Sequence, residues 1–163
     1  MKTQFTWIPL YHDLATKLLS WENRQTELIA MLEQLREKGV VVTPLKDRDE
    51  SGESFLLKEI DPFTFFGTFN RSIRHEERQA ILAGAKKLLG SSEPMPEDFD
   101  GLPTLNPQRS WFIDYKSKRG PDDVERLWRI FKLALADNAL DAPEFAEAFD
   151  NALEVRGTNV NLT

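Results

Sequence analysis

Apolar residues recur at intervals of three and four through Tyr11, Leu14, Leu18, Trp21, Leu28, Leu32 and Leu35. That spacing lays one stripe along a helix face. It predicts helix over 9–38, either continuous or bent near 20–23, where polar residues interrupt the stripe. Pro9 suits a first helical turn and Gly39 the position just past a last one. The stripe is too short and too interrupted for a coiled-coil seam, so it reads as a core face.

The period then changes. Residues 40–43 and 55–60 are short β-prone runs, separated by the charged, glycine-containing segment 46–53. The pattern fits a hairpin or a mobile loop, with the charges solvated. Asp61 before Pro62 reads as an N-cap followed by proline at the first helical position. Four phenylalanines, Phe63, Phe65, Phe66 and Phe69, follow within seven residues, and the chain then turns polar at Asn70, Arg71 and Arg74. Such a cluster fits core packing first, and also the rim of a binding site. Gly67, inside it, allows a break or the close approach of another backbone.

Ser72 is placed to cap a helix over 73–89 that Gly90 ends. Residues 91–110 hold four prolines (94, 96, 103, 107) and Gly101, a long irregular stretch whose Phe99, Leu102 and Leu105 imply partial packing. Residues 109–115 read as a short strand or a tight helical turn. An amphipathic helix over 121–136 carries Val124, Leu127, Trp128 and Phe131. A last helix, 143–155, has the capping pattern Asp141-x-x-Glu144 and Gly157 as its stop. The expected fold is mainly α with a small β element, with α+β as the alternative, in one domain spanning 1–157. Residues 158–163 look like a strand entering something further.

With 163 residues, the chain suffices for one domain, and 40% hydrophobic with 29% charged is ordinary composition. No run of about 18 apolar residues predicts a membrane span, and the start lacks the pattern of a signal peptide. A cytoplasmic protein, with no membrane partner, is the expectation. Zero cysteines exclude disulfides and thiolate metal sites, and the two histidines, His12 and His75, are far apart. No metal and no cofactor is expected.

Net charge of −6 argues against a general nucleic-acid coat. Its distribution is uneven. Residues 70–87 hold five Lys/Arg against two acids, residues 109–119 hold four against one, and residues 137–156 hold six acids against one base. Both aromatic-rich stretches are therefore basic on an acidic protein, which points to an anionic ligand at one face.

Reading a base takes an aromatic pocket, polar groups for its edge and cations for the phosphates. Trp7, Trp111, Phe112 and Tyr115 are candidates to stack, and Asn70, Asn106 and Gln108 to meet a base edge. Arg71, Arg74, Arg109, Lys116, Lys118 and Arg119 are candidates to hold phosphates. The structural alternatives are a Trp111 that plugs the loop onto the core and an Asn70–Arg71 pair used for capping and ion pairing. Two enzyme readings are weaker. Asp114-Tyr-Lys116 has the acid-x-Lys spacing of a metal-dependent nuclease, with Asp98 and Asp100 as partners. His12 and His75 belong to no Ser-His-acid set. A third class is an assembly adaptor, acting through the acidic last helix and the helix over 121–136.

Several motifs occur in a particular order: Trp7-Ile-Pro-Leu-Tyr11; Glu59-Ile-Asp-Pro-Phe-Thr-Phe-Phe-Gly-Thr-Phe-Asn-Arg71; Asp98-Phe-Asp-Gly-Leu-Pro103 with Asn106-Pro-Gln-Arg-Ser-Trp-Phe112; and Leu127-Trp-Arg-Ile-Phe131. The series resembles the N-terminal region of McrB-type AAA+ GTPases, the motor subunits of modification-dependent restriction systems. The resemblance covers most of the chain. It implies a DNA-targeting module, for modified DNA included, that is not itself catalytic. The implied partners are a motor domain continuing in the same chain past 158–163 and, through the full assembly, a restriction nuclease subunit. Nucleotide hydrolysis would belong to that motor. Gly84-Ala-Lys-Lys-Leu-Leu-Gly-Ser-Ser92 lacks the Gly-Lys-Ser/Thr ending, so no P-loop is present. The best-known DNA-binding domain of such proteins differs in composition, so base flipping and methylcytosine preference do not carry over to residues here.

Overall fold

The computed structural model describes residues 5–156 and 158. Among these the chain forms six α-helices and one two-stranded antiparallel sheet. The fold is mainly α with a small β element.

The predicted first helix is two. α1 (Ile8–Leu18) begins with proline in its first turn and buries Leu10, Tyr11, Leu14 and Leu18. The chain then tightens into a 3-10 segment, Leu19–Arg24, before α2 (Gln25–Glu37). Local bonds hold this break. Trp21 is buried, the Arg24 guanidinium lies 3.8 Å from its ring centroid, and Arg24 grips Glu27 through two bonds of 2.7 Å. Gln25 is pinned from outside, since its Oε1 accepts the Ile60 N–H at 2.8 Å. Gly39, at φ +90°, follows the end of α2 in the left-handed region that glycine tolerates.

Residues 40–43 form no strand, contrary to the β-prone reading. Their backbone groups are satisfied elsewhere: the Val41 N–H donates to Glu77 Oε2 at 2.7 Å, and the Val41 carbonyl accepts from Arg71 at 3.3 Å. The sheet forms further on, from β1 (Lys46–Arg48) and β2 (Ser54–Leu56), with Asp47 opposite Phe55. Asp49 closes its turn by accepting the N–H groups of Ser51 and Glu53. The charged segment therefore supplies the first strand and the turn, and Asp47 within it is buried, not solvated.

α3 (Pro62–Gly67) starts as its sequence dictates, with Asp61 Oδ1 accepting the Thr64 N–H at 2.9 Å. Phe65 and Phe69 are fully buried, and Phe63 meets Phe131 edge-on at 5.7 Å. α4 (His75–Leu89) begins two residues later than expected and without Ser72 as its cap. The Ser72 hydroxyl instead meets that of Thr104 at 3.4 Å, because a one-pair parallel bridge, Arg71 with Leu105, fixes the strand-like entry to the helix. Gly90 ends α4 at φ +73°.

The long segment after α4 packs in part, with Phe99, Leu102 and Leu105 against the core. Residues 109–115 form neither strand nor helical turn. The Phe112 N–H donates to Thr64 Oγ1 at 3.0 Å, and Phe112 and Ile113 are buried over α3. The close approach that Gly67 permits is made here: a Cβ on it would lie 2.5 Å from the Ser110 carbonyl oxygen.

α5 (Asp123–Ala134) buries Trp128, whose indole N–H donates to the Ile60 carbonyl at 3.1 Å. α6 (Pro143–Leu153) packs on it. Asp141 does not cap α6. It ends a 3-10 turn, Ala139–Asp141, and Ala142 takes the N-cap position. Gly157 as the stop lies outside the described residues, as does 159–163. Thr158 is buried and its hydroxyl donates to the Phe112 carbonyl at 3.0 Å.

Candidate functional site

One carboxylate organises the surface around the hairpin. Asp47, 1% exposed, accepts the Lys116 N–H at 2.7 Å on one oxygen and the Arg119 guanidinium at 2.8 Å on the other. Its own neighbour, Arg48, donates a further N–H to it. Burial pushes the Asp47 carboxyl up, but the bonds from Arg119, Lys116 and Arg48 outweigh burial and hold it below the usual carboxylate range. A Ser117 N–H bond to the Arg48 carbonyl, at 3.1 Å, completes the attachment. Residues 114–119 are thereby clamped onto β1.

The clamp builds a groove of about 510 Å³ between hairpin and loop. Its aromatic side is Trp111 and Tyr115, and its cationic side is Lys46 and Arg48, with Gln108 and Asp114 also on the wall. The Arg48 guanidinium lies 5.2 Å from the Tyr115 ring centroid, within cation–π range. Asp114 is answered by Arg156 at 3.3 Å, so the two strand cations keep their charge facing the groove. The Thr43 hydroxyl, also in the wall, is buried with no hydrogen-bond partner among the described residues.

Of the residues singled out from the sequence, Gln108, Trp111 and Tyr115 come together here. Arg109 and Lys118 are exposed nearby in the chain, and Asn106 Oδ1 accepts the Gln108 N–H at 2.9 Å, shaping the groove's edge. Lys116 is exposed but lines a different pocket.

The others are placed elsewhere. Phe112 is buried against Phe63, with ring centroids 5.4 Å apart. Trp7 packs edge-on against Tyr11 and donates its indole N–H to the Asp100 carbonyl at 2.9 Å. Arg119 turns inward: its side chain is 4% exposed, bonded to Asp47 and Glu59. Arg71 is buried too, donating to the carbonyls of Thr68 and Val41, and burial lowers its pKa. Arg74 is exposed and paired with Glu77 at 2.6 Å. Asn70 uses its backbone for the Leu105 bridge, and its Oδ1 is buried without a partner among the described residues. Asn70, Arg71 and Arg78 thus finish α3, with Arg78 donating to the Phe69 and Arg71 carbonyls at 2.9 and 2.6 Å.

The chain belongs to the DUF8425 family. The model of that family, described as a domain of unknown function, matches residues 7–163. No curated protein and no solved structure matches the chain. In this DUF8425 chain the acid-x-Lys residues of the nuclease reading do not assemble. Asp98 and Asp100 are bonded to the Thr6 and Trp7 segment, and Asp114 faces Arg156. Among the described residues no three His, Cys, Asp or Glu side chains gather to hold a metal ion, and no helix is long and apolar enough to cross a membrane.

Lys46 and Arg48 were missed by sequence reasoning because the segment looked like solvated turn. A signal was present: alternation in Lys46-Asp47-Arg48 puts both cations on one face of a strand and the acid on the other.

Proposed function

We propose that this chain is the DNA-binding, target-recognition module of a modification-dependent restriction GTPase, and that the groove beside the hairpin is its base-reading surface. The observation that carries the reading is the convergence of Trp111, Tyr115 and Gln108 with Lys46 and Arg48 on one groove of about 510 Å³. Aromatic faces stack a base of any sequence, an amide meets its edge, and strand cations hold the flanking phosphates. A modified base enlarges the apolar contact available to the Trp111 and Tyr115 rings. The resemblance to McrB-type proteins supports the same reading, with the motor domain of the same chain and a restriction nuclease subunit as further partners.

The test is anisotropy titration of labelled duplexes, unmodified and carrying modified cytosine, at two salt concentrations. Expected are binding that weakens steeply with salt, a preference for modified duplex lost in Trp111→Ala, and at least about tenfold weaker binding in Arg48→Ala. A folded wild-type protein with no DNA affinity at low salt overturns the reading.

One observation favours an adaptor that does not bind DNA. Leu140 is 85% exposed at the head of the acid-rich 137–156 segment, beside α6. On that reading Leu140→Asp changes the oligomeric state of the assembly and leaves DNA affinity at zero throughout.

A further inference from the structure

We propose that the pocket on the opposite face of the hairpin is a phosphoryl-binding site, separate from the groove. Strand alternation creates both faces. Lys46, Arg48 and Ser54 line the groove, whereas Asp47 and its register partner Phe55 line a pocket of about 430 Å³ with Lys58, Glu59, Lys116 and Arg119.

The Phe55 ring gathers two ammonium groups, Lys58 Nζ at 5.6 Å and Lys116 Nζ at 5.9 Å from its centroid. Both lie within the roughly 6 Å at which a ring face attracts a cation. Neither has a carboxylate partner among the described residues, because both acids of the pocket are committed to Arg119, at 2.8 Å to Asp47 and 2.9 Å to Glu59. Arg119 thus gathers the negative charge at one end and leaves Lys58 and Lys116 as the pocket's unpaired cations. An anion with several oxygens can be shared by two such cations, and lysine point charges suit a phosphoryl group.

Tyr115 in the groove and Lys116 in this pocket are consecutive residues. A polynucleotide with a base against Tyr115 that continued round the hairpin would meet Lys116 next. That link rests on the DNA reading above. The phosphoryl site itself does not.

The test begins with NMR titration of the full chain with pyrophosphate. Saturable shifts of the Phe55, Lys58 and Lys116 amide signals are expected, weakened about tenfold or more in Lys58→Gln, a substitution at an exposed position outside the groove. Absent shifts, or equal affinity in Lys58→Gln, overturn the site. A single-stranded oligonucleotide titration then separates the sources of the phosphoryl group. A salt slope reduced by about 0.7 in Lys58→Gln assigns the site to a polynucleotide backbone. An unchanged slope with the pyrophosphate response intact assigns it to a free phosphorylated molecule. Pyrophosphate binding without oligonucleotide binding overturns the DNA reading alone, and oligonucleotide binding without a pyrophosphate response overturns this site alone.

Discussion

Two buried aspartates respond to their surroundings in opposite directions. Asp47 is held below the usual carboxylate range by Arg119 and two backbone N–H groups, which outweigh its burial. Its contribution to stability is present above the unfolded value and disappears as pH falls through the folded one. Removing the carboxylate leaves Arg119 its Glu59 partner but orphans the Lys116 and Arg48 N–H groups, at a cost of about 1–3 kcal/mol. Asp47→Ala should lower stability by that amount in urea unfolding and release residues 114–119 from the hairpin. A loss below about 1 kcal/mol, the scale of an exposed pair, would falsify the clamp. Asp61 behaves in the reverse way. Burial at the start of α3 pushes its carboxyl up to about 6 from 3.8, against the lowering effect of its bonds from Thr64. Between those values the unfolded chain is ionised while the folded chain keeps its proton. This group's contribution therefore falls as pH rises through that window and is constant above it. Asp61→Asn retains an acceptor for the Thr64 N–H but cannot titrate. Relative to wild type it should gain roughly 3 kcal/mol between about pH 4 and pH 7.5. Parallel stability curves for the two proteins over that range would sink the assignment.

Glycines at two element contacts separate rigid from yielding neighbours. At Gly67 the obstacle is the backbone carbonyl of Ser110, 2.5 Å from where a Cβ would be, and neither α3 nor the loop pinned by Thr64 can yield cheaply. At Gly84 in α4 the nearest atoms are side-chain ends of α2, Leu35 Cδ1 at 2.8 Å and Met31 Sδ at 3.1 Å, which can rotate away. Alanine there also recovers about 1 kcal/mol of helix propensity. Gly67→Ala should therefore cost about 1–3 kcal/mol and Gly84→Ala should stay within about 1 kcal/mol of wild type, by chemical denaturation. Equal losses would mean that the α2–α4 contact is as rigid as the loop contact. The elements themselves were largely legible. Pro9, Asp61-Pro62, Gly39 and Gly90 mark their boundaries through backbone chemistry that acts locally. The break between α1 and α2 was visible only as a polar interruption; Arg24 holds it locally on Trp21 and Glu27, and Gln25 is pinned besides by Ile60, 35 residues away. The failure at residues 40–43 has a distant origin. Val41 satisfies its backbone on Glu77 and Arg71, partners that no local pattern announces.

For the molecule as a whole, the candidate site was half legible. Trp111, Tyr115 and Gln108 stood out because they cluster in sequence with bases. Arg71 and Arg119 stood out for the same reason, yet folding turns them inward, since carbonyls of α3 and the Asp47 carboxylate compete for them better than solvent does. Local charge density thus does not tell which cations reach a surface, and Lys46 and Arg48 come from a segment with more acids than bases. That distinction can be tested by holding total charge fixed. Lys46→Glu with Arg48→Glu, and Lys86→Glu with Lys87→Glu, each take the formal charge from −6 to −10, the first at the groove and the second at the end of α4. Long-range repulsion from an acidic protein affects both alike, whereas field focused by the groove is lost only in the first. Stopped-flow association with a short duplex at low salt should be slowed at least about tenfold in the groove pair and less than about threefold in the α4 pair. The groove pair should keep its stability within about 0.5 kcal/mol, both positions being exposed, and the α4 pair should lose up to about 2 kcal/mol through unfavourable charge at a helix C-terminus. Equal slowing in both would make binding a matter of net charge and remove the groove from the account. Slowing confined to the α4 pair would move the interface to the basic run over 70–87.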